Sequence, residues 1–450
     1  MLDSFLSLAE NDPAAAAVID AASGATTTRR ELAGRAHELA AELRGAGMTS
    51  RDAVAIQLPN SGDFIAAVLA AMTLDLVIVP IDRDSPETEL AATMSHFGVR
   101  GIIHRPDRLA TVVSTRNVDV RPNVPADARL IKLTSGSTGL PKGIVTTEAN
   151  LRADGINICR TMKIGSDDVN LGAIPFSHSY GFSNLVTPLL IQGTAVVVTN
   201  DYLPQTLLDH ANRYRCTVAP LIPMVYSHLR SAAHGEFETI RTFISAGAPL
   251  PAATSKAFRE RFGIDIQSFY GCSECGGISY DRRGAAVERG TVGAALDGVT
   301  LLTDGARLSV RSDSVAAGYL INADTFEPFG GDVFITDDLV AELDGEVVLT
   351  GRASEMINTA GKKVNPREIE TILLQIEGVR EARVYGAEAG ARGEVVAAAI
   401  VATPEVTREL VREFCLSRLA PHKVPRIVKL IDELPVDGRG KVKRTVLEAL

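Results

Sequence analysis

The N-terminal part of the chain alternates between helical and strand spacing of its apolar residues. Leu32, Ala36, Leu39 and Leu43 recur at the helical period, and Thr28 with Glu31 three residues later is typical of a capping box at the start of that helix. Strands are then predicted at 53–58 and 76–79, with a helix from about Gly62 between them.

The same alternation returns later in the chain. Short apolar runs at 195–199, 217–222 and 243–246 predict buried strands, with helical segments between them. Strands that alternate with helices need crossover connections, so a parallel sheet covered on both faces is expected. The predicted fold class is α/β, with a large layered parallel α/β domain at residues 1–352.

The last hundred residues follow a different pattern. Asn365, Pro366 and Glu368 predict a helix start, and the apolar stripe of that helix comprises Ile369, Ile372, Leu373 and Ile376. Strands are predicted at 382–385, 395–401 and 427–430, with a second helix near 407–418. This indicates a small α+β domain at 353–450, with a boundary after Gly351-Arg352.

Composition narrows the class of protein. The 450 residues carry a net charge of −9, with 46% hydrophobic and 22% charged residues, which favours a globular protein over a disordered or nucleic-acid-binding one. The most apolar stretch, 64–81, is interrupted by Asp75 and Pro80, so no membrane span is expected. An odd count of five cysteines and no basic N-terminal region favour a reducing, cytoplasmic location.

The strongest local signal is the run L-T-S-G-S-T-G-L-P-K-G at 133–143. Its glycines permit backbone shapes that point several N–H groups at one anion, its hydroxyls add donors, and its lysine adds charge. A flexible Ser/Gly loop is the alternative, and the run is not a Walker A loop because Lys142 is followed by glycine. The candidate phosphate-binding residues are Thr134, Ser135, Gly136, Ser137, Thr138, Gly139 and Lys142.

This run resembles the phosphate-binding signature of the adenylate-forming superfamily, which includes acyl- and aryl-CoA synthetases, peptide-synthetase adenylation domains and luciferase. The similarity extends from about residue 2 to 450, although the chain is short between the motif at Glu274 and Asp338. The resemblance implies a large N-terminal domain, a small mobile C-terminal domain, and a substrate cleft between them.

Two further motifs match the superfamily in order. I-P-F-S-H-S-Y-G-F at 174–182 is similar to its acyl-pocket segment, which makes His178 a catalytic or pocket-wall residue, whereas a lone histidine is usually a satisfied core residue. F-I-S-A-G-A-P-L at 243–250 resembles the segment whose Gly247, Ala248 and Pro249 would lie against adenine. A strand that ends in a turn is the plain interpretation of this second motif.

F-Y-G-C-S-E-C-G at 269–276 resembles the superfamily's Y-G-x-[S/T]-E motif. The resemblance implies that Tyr270 stacks on adenine beside Gly271 and Cys272, that Ser273 donates to the α-phosphate, and that Glu274 binds Mg²⁺. A competing interpretation takes Cys272 and Cys275 as a zinc or redox pair. No second C-x-x-C and no histidine cluster lies nearby in the sequence, which disfavours that interpretation.

Three segments near the C-terminal domain complete the resemblance. I-T-D-D-L at 335–339 places Asp338 at the ribose-binding position, and Arg352 would also reach the ribose. Asp337 replaces the usual glycine, and Ser354 stands at the hinge position, usually Asp or Lys. The segment 356–370 resembles the part that swings into the site for thioester formation, and G-K-V-K-R at 440–444 makes Lys441 the catalytic lysine.

The resemblance implies ATP-dependent conversion of a carboxylic acid to acyl-AMP with release of pyrophosphate, followed by transfer to a thiol. The cofactors are then ATP, Mg²⁺ and either coenzyme A or phosphopantetheine, and an acyl carrier protein is a possible partner. A fatty or aryl acid is expected, since 175–188 contains no acidic residue to pair with an ammonium group. The alternatives are an amino-acid adenylation domain, a luciferase-type oxygenase and a non-catalytic nucleotide-binding regulator.

Overall fold

The computed structural model describes residues 1–105, 111–115, 120–134, 141–303, 306–359, 362–388 and 394–435, and two compact units are present. The first comprises Met1–Leu302 and Ser309–Phe334, and the second comprises Thr303–Leu308 and the described part of Ile335–Leu450. The first unit contains two large sheets with helices, and the second is a small α+β assembly, as the sequence predicts.

A nine-stranded sheet carries most of the later predicted strands. Pairing is parallel from Ile266–Cys272 through to Ala16–Asp20 and antiparallel at both edges. The predicted strands at 195–199, 217–222 and 243–246 are confirmed with slightly different ends. In spatial order the strands are Ala294–Ala295, Gly276–Tyr280, Ile266–Cys272, Thr242–Ser245, Val218–Leu221, Val169–Gly172, Ala195–Val198, Ala16–Asp20 and Thr26–Thr28.

An eight-stranded sheet forms the second layer and is mixed. Its inner strands pair in parallel, while Ala128–Thr134 and Lys142–Thr147 form an antiparallel pair. A connection of only a few residues joins these two strands, and such a short connection permits antiparallel pairing alone. In spatial order the strands are Thr325–Pro328, Gly318–Asn322, Lys142–Thr147, Ala128–Thr134, Val77–Pro80, Ala53–Gln57, Val99–His104 and Val112–Thr115.

Helices fill the space beside both sheets. The capping box at Thr28 and Glu31 is confirmed, and the helix Gly62–Thr73 is buried along most of its length. Val18 and Val196 of one sheet share a hydrophobic core with Ile56 of the other and with that helix. The helices of this unit are Leu2–Asn11, Arg29–Gly45, Gly62–Thr73, Glu87–His96, Glu148–Met162, Ser179–Gly181, Thr187–Gln192, Pro204–Arg213, Pro223–Leu229, Ala252–Phe262 and Ala286–Arg289, with a π-helical turn at Phe182–Val186.

The second unit has its own core. Asn365 caps the helix Pro366–Leu373 by accepting from the Arg367 N–H, and Ile369, Leu373 and Ile376 of the predicted stripe are buried. Its three-stranded sheet comprises Val379–Glu388, Glu394–Ala402 and Ile427–Ile431, with the helix Arg408–Leu416. Further elements that lie wholly or mostly in this unit are Val333–Leu343, Glu346–Arg352, Ala353–Glu355, Ile357–Thr359 and Lys362–Val364, whereas the residues of the strands Thr300–Thr303 and Arg307–Arg311 are divided between the two units.

Within the described parts of the chain, no helix has the length and apolar character that crossing a membrane requires.

Candidate active site

The predicted motifs of the first unit meet at one edge of the nine-stranded sheet. The strands Val169–Gly172, Thr242–Ser245 and Ile266–Cys272 belong to its parallel part, so their carboxyl ends share an edge. The segments 174–182, 247–249 and 273–274 follow directly from those ends. Ligands of open α/β sheets bind at this edge, so the topology itself brings the motifs together.

A tight hairpin presents the residues of the Y-G-C-S-E motif. Cys272 pairs with Gly276 across the turn, and Gly276 has φ +72°, a left-handed conformation that favours glycine. Asp154, which is buried, accepts from the Gly277 N–H at 2.9 Å. A Cβ atom at Gly276 would lie 2.3 Å from the Asp154 carboxylate, so the return strand is fixed in place.

Ser273 lies among donors that the motif alone does not show. Its hydroxyl is 2.8 Å from the Ser179 hydroxyl, and the Lys132 ammonium donates to the Ser273 carbonyl at 3.3 Å. Lys132 is only 7% exposed. A buried cation next to Ser273 gives this turn a positive environment suited to an anion. Lys132 was not predicted as a site residue, although a lysine within the apolar strand Ala128–Thr134 is a signal of a buried charge.

Glu274 and Lys142 meet around a tyrosine that the sequence analysis also missed. The Tyr319 hydroxyl donates to Glu274 Oε1 at 2.9 Å, and Lys142 Nζ lies 5.2 Å from the centre of the Tyr319 ring. Burial, together with the negative charge of Glu274, raises the pKa of Tyr319, so its proton stays on the hydroxyl. Because the strand Gly318–Asn322 pairs with Lys142–Thr147, the sheet brings Lys142 to the same tyrosine that contacts Glu274.

The segment 174–182, which resembles an acyl-pocket segment, is partly buried in the core and partly exposed. Phe176 and Phe182 are completely or almost completely buried in the core, where Phe176 packs edge-on against Phe64. His178 is partly exposed, and its Nε2 lies 3.3 Å from an Asp82 carboxylate oxygen. The segment itself contains no acidic residue, as the sequence shows, and the carboxylate that reaches it belongs to Asp82, which follows a different strand of the fold.

Gly247, Ala248 and Pro249 are exposed and follow the strand Thr242–Ser245. Gly247 has φ +86°, which a side chain would strain, and its nearest neighbour on the Cβ side is Ile222. Tyr270 and Cys272 are partly exposed on the adjacent strand, and Gly271 is exposed. An exposed backbone beside an accessible tyrosine ring provides a flat surface of the kind that a planar base requires.

In the second unit, Asp338 and Arg352 form an ion pair. The two residues are cross-strand partners, and Arg352 Nε donates to Asp338 Oδ1 at 3.0 Å. The two departures from the superfamily pattern also contact each other, since the Ser354 N–H donates to Asp337 at 3.1 Å and the Ser354 hydroxyl donates to the same carboxylate. The structure thus brings together the two predicted ribose-binding residues.

Six predicted site residues lie outside the described parts of the chain: Ser135, Gly136, Ser137, Thr138, Gly139 and Lys441. Among the residues that the structure describes, no group of three or more His, Cys, Asp or Glu side chains could hold a metal ion. The sequence assigns a metal to Glu274 alone, and this role stays a prediction.

The comparison with protein families decides the identity of the fold and its chemistry. Residues 5–320 match the family model described as "AMP-binding enzyme", and residues 368–441 match the model of its C-terminal domain. The chain belongs to the AMP-binding enzymes. The boundary predicted after Arg352 lies in the interval between the two matches.

Relatives of this AMP-binding enzyme include a sulfoacetate–CoA ligase from Cupriavidus necator, 30% identical over 94% of this chain and 92% of the relative. A feruloyl-CoA synthase from an Amycolatopsis species is 27% identical over 93% of each chain. The ATP-bound crystal structure of MatB from Rhodopseudomonas palustris has a TM-score of 0.84 at 25% identity, covering 100% of this chain and 98% of that one.

These similarities support the main functional prediction over its alternatives. The chain is an AMP-forming acid–thiol ligase, which activates an acid as acyl-AMP and then forms a thioester. ATP and coenzyme A are the substrates of this family of ligases. The similarity over almost the whole length of these relatives does not favour an amino-acid adenylation domain or a non-catalytic regulator.

Replacement of Tyr319 by phenylalanine tests how Glu274 is held. Tyr319→Phe keeps the ring beneath Lys142 and removes the O–H that donates to Glu274. Loss of one hydrogen bond to a partly exposed carboxylate costs about 1 kcal/mol, so acyl-AMP formation should fall roughly 5-fold. Steady-state pyrophosphate release measures this, with Tyr214→Phe, whose hydroxyl donates to the Ala21 carbonyl, as the matched control. Equal rates for the two variants would contradict a role of Tyr319 in the site.

Proposed function

We propose that this enzyme is a Mg²⁺- and ATP-dependent acid–coenzyme A ligase whose acid carries no α-amino group. A carboxylate is a poor electrophile because oxide would have to leave. Attack by a carboxylate oxygen on the α-phosphorus releases pyrophosphate and forms acyl-AMP. A thiol then attacks the acyl carbonyl, loses its proton and displaces AMP, which leaves the thioester.

The observation that carries this proposal is that Lys142 and Glu274 both contact Tyr319, while Ser273 precedes Glu274 in the same hairpin. Both reactants of the first step are anions, so the rate depends on positioning and on neutralisation of charge. Lys142 and the buried Lys132 supply positive charge, and Ser273 supplies a donor. Lys441 would add a third cation during the first step.

The carboxylate of Glu274 is a suitable ligand for a magnesium ion. Mg²⁺ prefers carboxylate and phosphate oxygens and commonly binds through one or two carboxylates together with substrate phosphates. The Tyr319 hydroxyl occupies one oxygen of Glu274 and fixes its orientation. A metal bound there with the triphosphate would neutralise charge on the leaving pyrophosphate.

Two side chains that follow strands of the nine-stranded sheet, Met224 and His178, support this class of acid. Met224 lies in the helix Pro223–Leu229, directly after the strand Val218–Leu221, and is 57% exposed. Burial of apolar surface contributes about 25 cal/mol per Å², which favours a fatty or aryl tail. Asp82 faces His178, and an oxygen of its carboxylate is already 3.3 Å from the Nε2 atom of His178. The ammonium group of an amino-acid substrate would have to compete with His178 for the Asp82 carboxylate.

An acid panel tests the substrate class. Pyrophosphate release is measured with fatty, aryl, sulfonated and amino acids of similar size at equal concentration. We expect kcat/KM to favour acids without an α-amino group by at least about 10-fold, because an unpaired buried ammonium costs several kcal/mol. A proteinogenic amino acid as the best substrate would overturn the proposed class.

The acceptor is tested on the best acid from that panel. Products with coenzyme A and with a phosphopantetheinylated acyl carrier protein are separated and identified by mass spectrometry. The proposal expects acyl-CoA as the main thioester. If the acyl carrier protein is acylated faster than coenzyme A, the thiol acceptor in the second half-reaction is a protein partner and not coenzyme A.

Two further assignments are part of this proposal. The functional boundary is placed after Arg352, between the residues matched by the two family models, and the segment from 353 onward would act in thioester formation. The odd cysteine count supports a reducing, cytoplasmic location.

A further inference from the structure

The hairpin that carries Ser273 and Glu274 also brings two thiols into contact. Cys272 and Cys275 stand on either side of these residues, and their sulfur atoms are 3.0 Å apart. A disulfide bond has a sulfur–sulfur distance of about 2.05 Å, so closure needs a movement of roughly 1 Å. A movement of that size requires the two cysteine side chains and the short turn between them to adjust together.

We propose that Cys272 and Cys275 are a reversible redox site, and that their disulfide switches off the turn formed by Ser273 and Glu274. The inhibitory part of this inference rests on the proposed function, because it assigns phosphate and metal binding to that turn. Formation of the disulfide itself does not depend on the proposed function. Disulfides in reducing compartments are typically transient and redox-sensing, which fits a reversible switch.

The surroundings of the pair determine which residues move when the disulfide closes. The Ser314 hydroxyl donates to the Cys275 carbonyl at 2.8 Å, and the Ala316 N–H donates to the Glu274 carbonyl at 2.8 Å. Cys275 is fully buried, and Gly276 has no space on the side of Asp154. Closure therefore has to move Cys272 and Ser273, which separates Ser273 from the Ser179 hydroxyl and the Lys132 ammonium.

The reaction requires an oxidant, and a low-molecular-weight disulfide is sufficient. The Cys272 thiolate attacks one sulfur of the oxidant, forming a mixed disulfide and releasing one thiolate. The Cys275 thiolate then attacks the Cys272 sulfur and releases the second thiolate. The two cysteines are oxidised by two electrons, the oxidant is reduced to two thiols, and the two cysteine protons end on those thiols.

Accessibility assigns Cys272 as the first thiol to react. Cys272 is partly exposed, whereas Cys275 is fully buried. Exchange with a soluble oxidant is therefore expected to begin at Cys272.

The remaining cysteines provide an internal comparison. Burial raises the pKa of Cys159 and Cys216 to about 12 and that of Cys415 to about 11, which keeps all three as thiols at neutral pH. All three are buried, so a soluble oxidant reaches them poorly. Oxidation should consequently be selective for the pair in the hairpin.

The test uses the full chain and oxidised glutathione. The reduced protein is incubated with the oxidant for hours, alkylated, digested with trypsin and analysed by mass spectrometry. The tryptic peptide 262–282 contains both cysteines of the pair and no other cysteine. We expect this peptide to become two hydrogens lighter and to escape alkylation. Acid-dependent ATP–pyrophosphate exchange should fall on the order of 10–100-fold, since a displacement of about 1 Å can cost that much, and dithiothreitol should restore it.

Two variants make the test specific, each compared with its own reduced form. Cys272→Ser leaves only the buried Cys275 in the hairpin, so its activity should not change on oxidation. Cys415→Ala is the matched control and should lose activity as the unmodified chain does. A peptide 262–282 that keeps two free thiols would overturn the inference, as would a disulfide without loss of exchange, or equal loss in Cys272→Ser. Absence of exchange in the reduced chain would instead contradict the proposed function.

Discussion

Glu274→Gln should lower Mg²⁺-dependent acyl-AMP formation by on the order of 10²-fold while AMP binding stays nearly intact. Glutamine has the shape of glutamate and can still accept from the Tyr319 hydroxyl, which lies 2.9 Å from Glu274 Oε1. It lacks the negative charge that a hard divalent cation requires. The defect should therefore be largest at limiting Mg²⁺ and should shrink as Mg²⁺ is raised.

The comparison variant for this experiment is Glu260→Gln. Glu260 is an exposed residue of the helix Ala252–Phe262, 3.9 Å from Lys256, so the substitution makes the same chemical change away from the hairpin. Its pyrophosphate release should match that of the unmodified chain at every Mg²⁺ concentration. If Glu274→Gln behaves like Glu260→Gln at limiting Mg²⁺, Glu274 is not a metal ligand.

Lys441→Ala should impair acyl-AMP formation and spare thioester formation. The assigned lysine would contact both the carboxylate and the phosphate, so its removal takes away one preorganised charge from the transition state. A loss of about 2–4 kcal/mol, or roughly 10²–10³ in rate, is typical of such a donor. Thioester formation from supplied acyl-AMP should stay within a few-fold of the unmodified chain.

Single-turnover measurement of each half-reaction checks this separation. Lys443→Ala, two residues further along the same basic run, is the matched control and should leave both half-reactions nearly unchanged. Equal damage to both half-reactions by Lys441→Ala would contradict the assignment of Lys441 to the first step only.

Much of the fold could be predicted because local patterns and global packing agree. The helix Arg29–Gly45 has its capping box and its apolar stripe in the sequence, and the parallel strands of the nine-stranded sheet are short apolar runs. The antiparallel strands Gly318–Asn322 and Thr325–Pro328 were not predicted. The strand Gly318–Asn322 has three consecutive apolar or aromatic residues, Tyr319, Leu320 and Ile321, so its sequence lacks the alternation that indicates a strand.

In the candidate site, too, the residues within sequence motifs were predicted, and those that the fold brings in from other segments were not. Glu274, Ser273 and Lys142 were predicted because their own neighbours along the chain form motifs. Tyr319 comes from a strand whose position beside Lys142–Thr147 only the sheet establishes. Asp82 likewise contacts His178 across the fold, so the sequence of 174–182 did not indicate it. Contacts between residues distant in sequence decide the fine chemistry, and single-sequence patterns do not contain them.

The central claim is that this enzyme forms an acyl-AMP from ATP and an acid, and transfer of labelled oxygen tests it most directly. The best acid from the panel is prepared with ¹⁸O in its carboxylate and incubated with ATP, Mg²⁺ and coenzyme A, and the products are analysed by mass spectrometry. Attack of the carboxylate on the α-phosphorus predicts one ¹⁸O atom in AMP, none in pyrophosphate, and acyl-CoA as the other product. Label in inorganic phosphate with ADP as the nucleotide product, or unlabelled AMP, would contradict the account.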